Sequence, residues 1–172
     1  ETPLSAGSVV WFTPGTIHRA VNLDHARLVV LMSNAGLPEA GDAVMTFPSE
    51  YLQSAERYRE AVALPAGGSE DELAVAAAKR RDLAVEGYLA IRDALIAGDD
   101  RPLRQFRERA AEIVADRLSG WSGIVERGPL AQAQGTLDVL ARMAARDASH
   151  LEEAAVAPGL EPAHRFGMCG RL

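Results

Sequence analysis

Two runs of β-forming residues on either side of a tight turn most constrain how this chain can fold. The runs are residues 9–12 and 17–22, and Pro14 with a following glycine lies in the turn between them. Proline restricts φ and glycine tolerates turn conformations, so both favour a tight connection. The pattern predicts a β-hairpin, and alternation along its second strand places His18 and Asn22 on the same face.

The spacing of polar and glycine residues in this hairpin resembles the second sequence motif of the cupin superfamily. The residues that match the motif are Gly7, Gly15, His18 and Asn22, and Thr13 stands where the family has proline. The resemblance implies that residues 1–48 are the C-terminal part of a cupin β-barrel, with earlier strands expected ahead of Glu1. It also implies that His18 lines the barrel lumen as a ligand of a divalent metal, namely Fe, Mn, Ni or Zn.

A metal at His18 would need further ligands. Catalytic metals usually take three or more protein ligands, and the His-x-His motif that supplies them in the family is absent from this sequence. The other ligands are therefore expected upstream of Glu1. The alternative is a lumen histidine that, with Asn22, hydrogen-bonds an organic ligand or a neighbouring side chain without any metal.

Other polar residues are weaker candidates for a functional site. His25 fits a solvated turn, His150 and His164 have no partner at ligand spacing, and the single cysteine, Cys169, lacks a histidine beside it. Surface positions are expected for the histidines, and a structural or exposed thiol for the cysteine. A turn-rich loop offers three candidates for pocket contacts, with a plain surface loop as the alternative: Asn34, Glu39 and Asp42.

The remaining pattern predicts two more strands and then helices. Apolar runs at 27–32 and 43–47 are predicted as barrel strands. The predicted helical segments are a short helix capped by Ser49, a long helix from about Glu70 to Ala97 with a Ser69/Glu72 capping box, a helix from near Pro102 that ends or bends near Trp121, a helix from Leu130, and a piece over Ala148–Val156.

The helix from Leu130 has the clearest register. Its apolar positions alternate steps of three and four: Leu130, Ala133, Leu137, Leu140 and Ala144. This spacing gives one apolar seam, which we expect to lie in the core of a helical bundle.

Composition excludes several functional classes. The chain has 172 residues, 48% of them hydrophobic and 24% charged, which is typical of a soluble globular protein. An arginine-rich stretch at 101–109 has acidic neighbours, and the net charge is -6, so a nucleic-acid partner is not expected. No apolar run is long enough to span a membrane. The presence of a single cysteine is compatible with the cytoplasm. The preference for arginine over lysine suggests a GC-rich bacterial genome.

The predicted fold class is α+β. Its parts are a partial cupin-type barrel at 1–48, a short helix and linker at 49–68, and a mostly α-helical region at 69–172. The predicted function is binding of a small molecule in the barrel lumen, as a metal-dependent dioxygenase or a sugar isomerase or epimerase with His18 as a metal ligand. The alternative is a metal-free ligand-binding or interaction module with a helical dimerisation region, for which a homodimer is the expected partner.

Overall fold

The computed structural model describes residues 1–32, 35–38, 40–159 and 166–168. Within these residues the regular structure is helical, and no β-strand occurs. The α-helices are α1 (Ala55–Val62), α2 (Glu70–Ile96), α3 (Arg101–Val114), α4 (Leu118–Val125) and α5 (Ala131–Ala144). Short 3-10 turns lie at Ser49–Tyr51, Ala115–Arg117 and Ser149–Leu151, and a π-helical turn lies at Glu126–Leu130.

The chain divides into two compact units, Glu1–Val30 and Leu31–Leu172. The first unit contains turns, bends and segments without regular secondary structure. Its backbone hydrogen bonds are local ones, from the Ser8 N–H to the Ser5 carbonyl and from the Thr16 N–H to the Thr13 carbonyl. All helices belong to the second unit.

The predicted cupin barrel and the α+β fold class are wrong for the part of the chain described. The runs at 9–12, 17–22, 27–32 and 43–47 form no strand ladder, and the first three are almost entirely exposed. β-Propensity mainly measures how well a side chain fits a pleated, half-covered surface. A lone two-stranded hairpin is marginal in water, and the three exposed runs pair with no strand in the described part of the chain.

The long helix is predicted correctly. α2 begins after Ser69, whose hydroxyl accepts a hydrogen bond from the Glu72 N–H while the Glu72 carboxylate accepts one from the Ser69 N–H. The predicted cap at Ser49 is wrong, because Ser54 caps α1 by accepting from the Arg57 N–H.

The segment after α2 is more broken than its sequence predicts. The expected single helix from Pro102 is interrupted at Ala115–Arg117. This interruption lies ahead of Trp121, near which the helix was expected to end or bend. α4 passes into α5 through a kink at Gly128, where φ is -98° and ψ is -105°, followed by Pro129. The helical piece predicted over Ala148–Val156 contains only a single 3-10 turn.

The core of the second unit is small and lies where an extended segment crosses the helices. Its buried members are Phe47, Leu52, Tyr58 and Ile113. The Met45 N–H donates to the Tyr58 hydroxyl at 2.9 Å, and the Thr46 hydroxyl donates to the Ala84 carbonyl of α2 at 2.8 Å. Gly87 permits the close crossing, because a Cβ built there would lie 2.2 Å from the Thr46 carbonyl oxygen. The predicted strand at 43–47 is therefore a core segment bound through side chains.

A helix that spans a membrane needs about 20 consecutive, mostly apolar residues. Among the described residues, no helix combines the length and the apolar content that a bilayer span requires.

Candidate interaction surface

His18 and Asn22 lie exposed in the first unit. The His18 ring lies 4.1 Å from the Phe12 ring, centroid to centroid, and its Nδ1 is 3.0 Å from the Thr16 carbonyl oxygen. Because a carbonyl can only accept, this contact makes Nδ1 the donor and leaves Nε2 as the nitrogen with a free lone pair in the neutral ring. The Asn22 side chain accepts from the Ala26 N–H at 2.9 Å, which stabilises the local turn.

A metal ligand set is not assembled around His18. Within the residues that the structure describes, no three His, Cys, Asp or Glu side chains lie close enough to hold a metal ion. The barrel lumen expected to contain His18 and Asn22 does not form, so the metal-binding interpretation loses its scaffold. Metal ligation by His18 and ligand contact by Asn22 stay predictions.

The loop with three candidate pocket residues packs on the helical region. Asn34 and Glu39 lie outside the described residues, and Asp42 is half-buried. Neighbouring backbone is held by two side chains, because Arg117 donates to the Gly41 carbonyl at 3.2 Å and the Trp121 indole N–H donates to the Ala40 carbonyl at 3.3 Å. The loop is thus anchored by its main chain.

The remaining candidates are scattered. His25 is exposed with a positive φ of 43°, as in a turn. His150 is half-buried, and its Nδ1 has no hydrogen-bond partner among the described atoms. His164 and Cys169 lie outside the described residues.

Tyr58 and Arg80 each bind main-chain groups in contacts that the sequence analysis missed. Burial raises the pKa of the Tyr58 hydroxyl, and the hydrogen bond from the Met45 N–H opposes that shift. Arg80 donates to the carbonyls of Val62, at the end of α1, and of Gly167, and its partial burial lowers the pKa of its guanidinium. No sequence pattern marks these partners, because both bonds join residues far apart in sequence to main-chain carbonyls. The contacts tie α1 and the segment near Gly167 to α2.

The apolar seam of α5 is exposed, contrary to the prediction that it lies in the core. Between 56% and 59% of the surface of each large side chain is accessible: Leu130, Leu137, Leu140 and Met143. Met143 flanks the seam, whose own residues occupy the a and d positions of a heptad. We call these a and d residues the α5 seam: Leu130, Ala133, Leu137, Leu140 and Ala144.

The rim of the α5 seam carries no charge. The positions that flank the seam on either side are Gln134, Thr136, Ala141 and Met143. The charged residues of α5, Asp138 and Arg142, lie outside these positions on the helical wheel. An approaching surface therefore meets only apolar and neutral polar groups.

Further large apolar side chains lie exposed in the first unit. The exposed fraction is at least 85% for each of four residues: Val9, Trp11, Leu23 and Val29. Large exposed apolar patches commonly mark sites of protein association.

Comparison with protein-family models, with curated proteins and with solved structures found no match for this chain.

Proposed function

We propose that this chain is a protein-interaction module that self-associates through the α5 seam. The observation that carries the proposal is the exposure of three leucines at heptad spacing, Leu130, Leu137 and Leu140. Fully burying one such side chain contributes about 1.5–3 kcal/mol relative to leaving it exposed. An isolated helix of this length is marginal in water, so a covering surface would also stabilise α5 itself.

A second copy of the chain is the occupant that the seam fits best. The copies each carry a net charge of -6, so a contact between them must avoid bringing like charges together. The α5 seam and its rim satisfy this condition because they hold no charged residue. The heptad spacing also suits a second helix with the same spacing, related by a two-fold axis.

The size of the seam sets the expected strength of the dimer. α5 has 14 residues, and a helix of that length is about 21 Å long. The three leucines of the seam and Met143 on its rim expose on the order of a few hundred Å² per copy, below the roughly 800 Å² per partner of a standard interface. We expect dissociation constants in about the micromolar range for this contact alone.

The substitution Leu137→Glu tests the proposal. It places a carboxylate at the centre of the α5 seam, where dimerisation would have to desolvate two like charges. We expect the dimer dissociation constant, measured by sedimentation velocity over a concentration series, to rise at least tenfold. Circular dichroism of the same samples shows whether α5 remains helical.

The matched control is Gln132→Glu, which adds the same charge to α5 away from the seam. We expect this variant to dimerise like the unmodified chain. A chain that stays monomeric at several hundred micromolar would overturn the proposal. So would equal weakening by the two substitutions, because general charge repulsion would then explain both.

A further inference from the structure

The first unit carries a second uncovered apolar surface, in residues 8–12. The exposed fractions are 87% for Val9, 50% for Val10, 85% for Trp11 and 51% for Phe12. This alternation has the two-residue period of an extended chain, with one face nearly bare and the other half covered. A β-strand formed by this segment would carry Val9 and Trp11 on one face and Val10 and Phe12 on the other.

The backbone of the segment has no partner within its own unit. In residues 1–30, all of which the structure describes, the backbone groups form the two turns and three bonds with side chains: the Ser5 N–H donates to the Ser8 hydroxyl, the Ala26 N–H donates to the Asn22 side chain, and the Thr16 carbonyl accepts from His18. The N–H and C=O groups of Val9 to Phe12 take part in none of them. A row of unpaired groups on an apolar extended segment is a template for pairing with another chain.

We infer that residues 8–12 pair antiparallel with residues 8–12 of a second copy, about a two-fold axis at Val10. In this register Val9 lies opposite the second copy's Trp11, and Val10 opposite its own counterpart. Pairs of aromatic and β-branched side chains are among the favourable cross-strand pairs. No residue of the segment is charged, so pairing brings no like charges together.

The area that the segment offers sets the strength of the pairing. The side chains of Val9, Trp11 and Phe12 together offer on the order of 300 Å² for burial. This is below the roughly 800 Å² per partner of a standard interface, so the pairing is expected to be weak by itself. A two-stranded ribbon alone is marginal, so the pairing deepens the proposed self-association and gains from the high effective concentration that the α5 contact provides.

Disulfide trapping tests the register. In the inferred pair the two Val10 Cα atoms lie about 4.5–5.5 Å apart, within the range that a disulfide bridges. The substitution Val10→Cys, made in a Cys169→Ser background, is expected to form an intermolecular disulfide under mild oxidation with glutathione disulfide. That oxidant accepts the two electrons and two protons released by the thiol pair.

The matched control is Leu23→Cys in the same background. Leu23 is 91% exposed and lies in the same unit, so random collision favours cross-linking there over Val10. Cross-linking at least tenfold faster at Val10 supports the inference. Equal or slower cross-linking at Val10 overturns it.

Adding Leu137→Glu to both cysteine variants separates this inference from the proposed function. If cross-linking at Val10 remains faster than at Leu23 in that background, the result supports β-pairing even if the α5 contact is lost. If the unmodified chain dimerises through α5 and Val10 shows no preference, the β-pairing is overturned and the proposed function stands.

Discussion

At the scale of single residues, Gly87 leaves the least room for an added side chain among the described glycines. A methyl group there would lie 2.2 Å from the Thr46 carbonyl oxygen and 2.6 Å from the Phe47 carbonyl carbon. Gly87→Ala is therefore expected to separate α2 from the core segment. We expect a loss of about 1–3 kcal/mol in the free energy of unfolding, measured by urea titration, despite the better helix propensity of alanine.

Gly135→Ala provides the opposite case in α5. Apart from its chain neighbours and the backbone of α5 itself, no atom of the described residues lies within 4 Å of a Cβ built at Gly135, so only helix propensity changes, and we expect stabilisation of about 1 kcal/mol. Similar effects of the two substitutions would contradict the close crossing at Gly87.

Tyr58 is expected to matter through its hydroxyl as well as its ring. Tyr58→Phe leaves the Met45 N–H, which is partly buried, without its acceptor. Leaving such a donor unsatisfied costs about 1–3 kcal/mol, which thermal and urea unfolding would detect. Tyr51→Phe is the control, because the structure gives the Tyr51 hydroxyl no hydrogen bond to the described residues; an equal loss there would argue against the Met45 contact.

At the scale of elements, the capping box of α2 makes stability depend on pH. Hydrogen bonds from the Ser69 backbone N–H and hydroxyl lower the pKa of Glu72 from its ordinary value of 4.5. A lowered pKa in the folded state stabilises the fold above pH 4.5, and this contribution is lost as the pH falls through the lower folded-state pKa. Glu72→Gln is expected to flatten that part of the stability profile, as measured by urea unfolding between pH 6 and pH 3.

A matched change at a neighbouring acid separates capping from general acid effects. Asp71→Asn also removes a carboxylate from the first turn of α2, yet Asp71 is not the residue of the capping box. If both variants flatten the profile equally, the capping interaction is not the cause.

The elements also show where the sequence suffices and where it does not. Ser69 and Glu72 predict the start of α2 because capping is a local interaction between residues three apart. Val9 to Phe12 do not form the predicted strand because a strand depends on partners elsewhere. The heptad of Leu130, Leu137 and Leu140 predicts an apolar seam, but local spacing does not determine what covers it.

The candidate surface was harder to predict than the helices. His18 and Asn22 were selected by a motif whose meaning depends on a surrounding barrel, and the described chain forms none. The exposed leucines of α5 are visible as a pattern in the sequence. Their exposure is decided by the packing of the whole unit, which no short window of sequence reports.

At the scale of the whole molecule, the two units are expected to differ in resistance to protease. Arg19 and Arg27 lie exposed in the first unit, without helix around them. Extended exposed segments are preferred cleavage sites, so trypsin at low protein concentration should cut after these residues first. Mass spectrometry identifies the early fragments, and initial cleavage within α2 or α3 would contradict this division.

The two tryptophans occupy contrasting surroundings, which makes them separate optical reporters. The Trp11 ring is largely in water, while the Trp121 indole donates to a main-chain carbonyl and is half-buried. Iodide in solution should therefore quench the long-wavelength part of the fluorescence first. Tryptophan fluorescence measured over a series of protein concentrations, without an added dye, would then follow the first unit alone. The fraction quenched by iodide would change with concentration, while the emission of Trp121 stays constant.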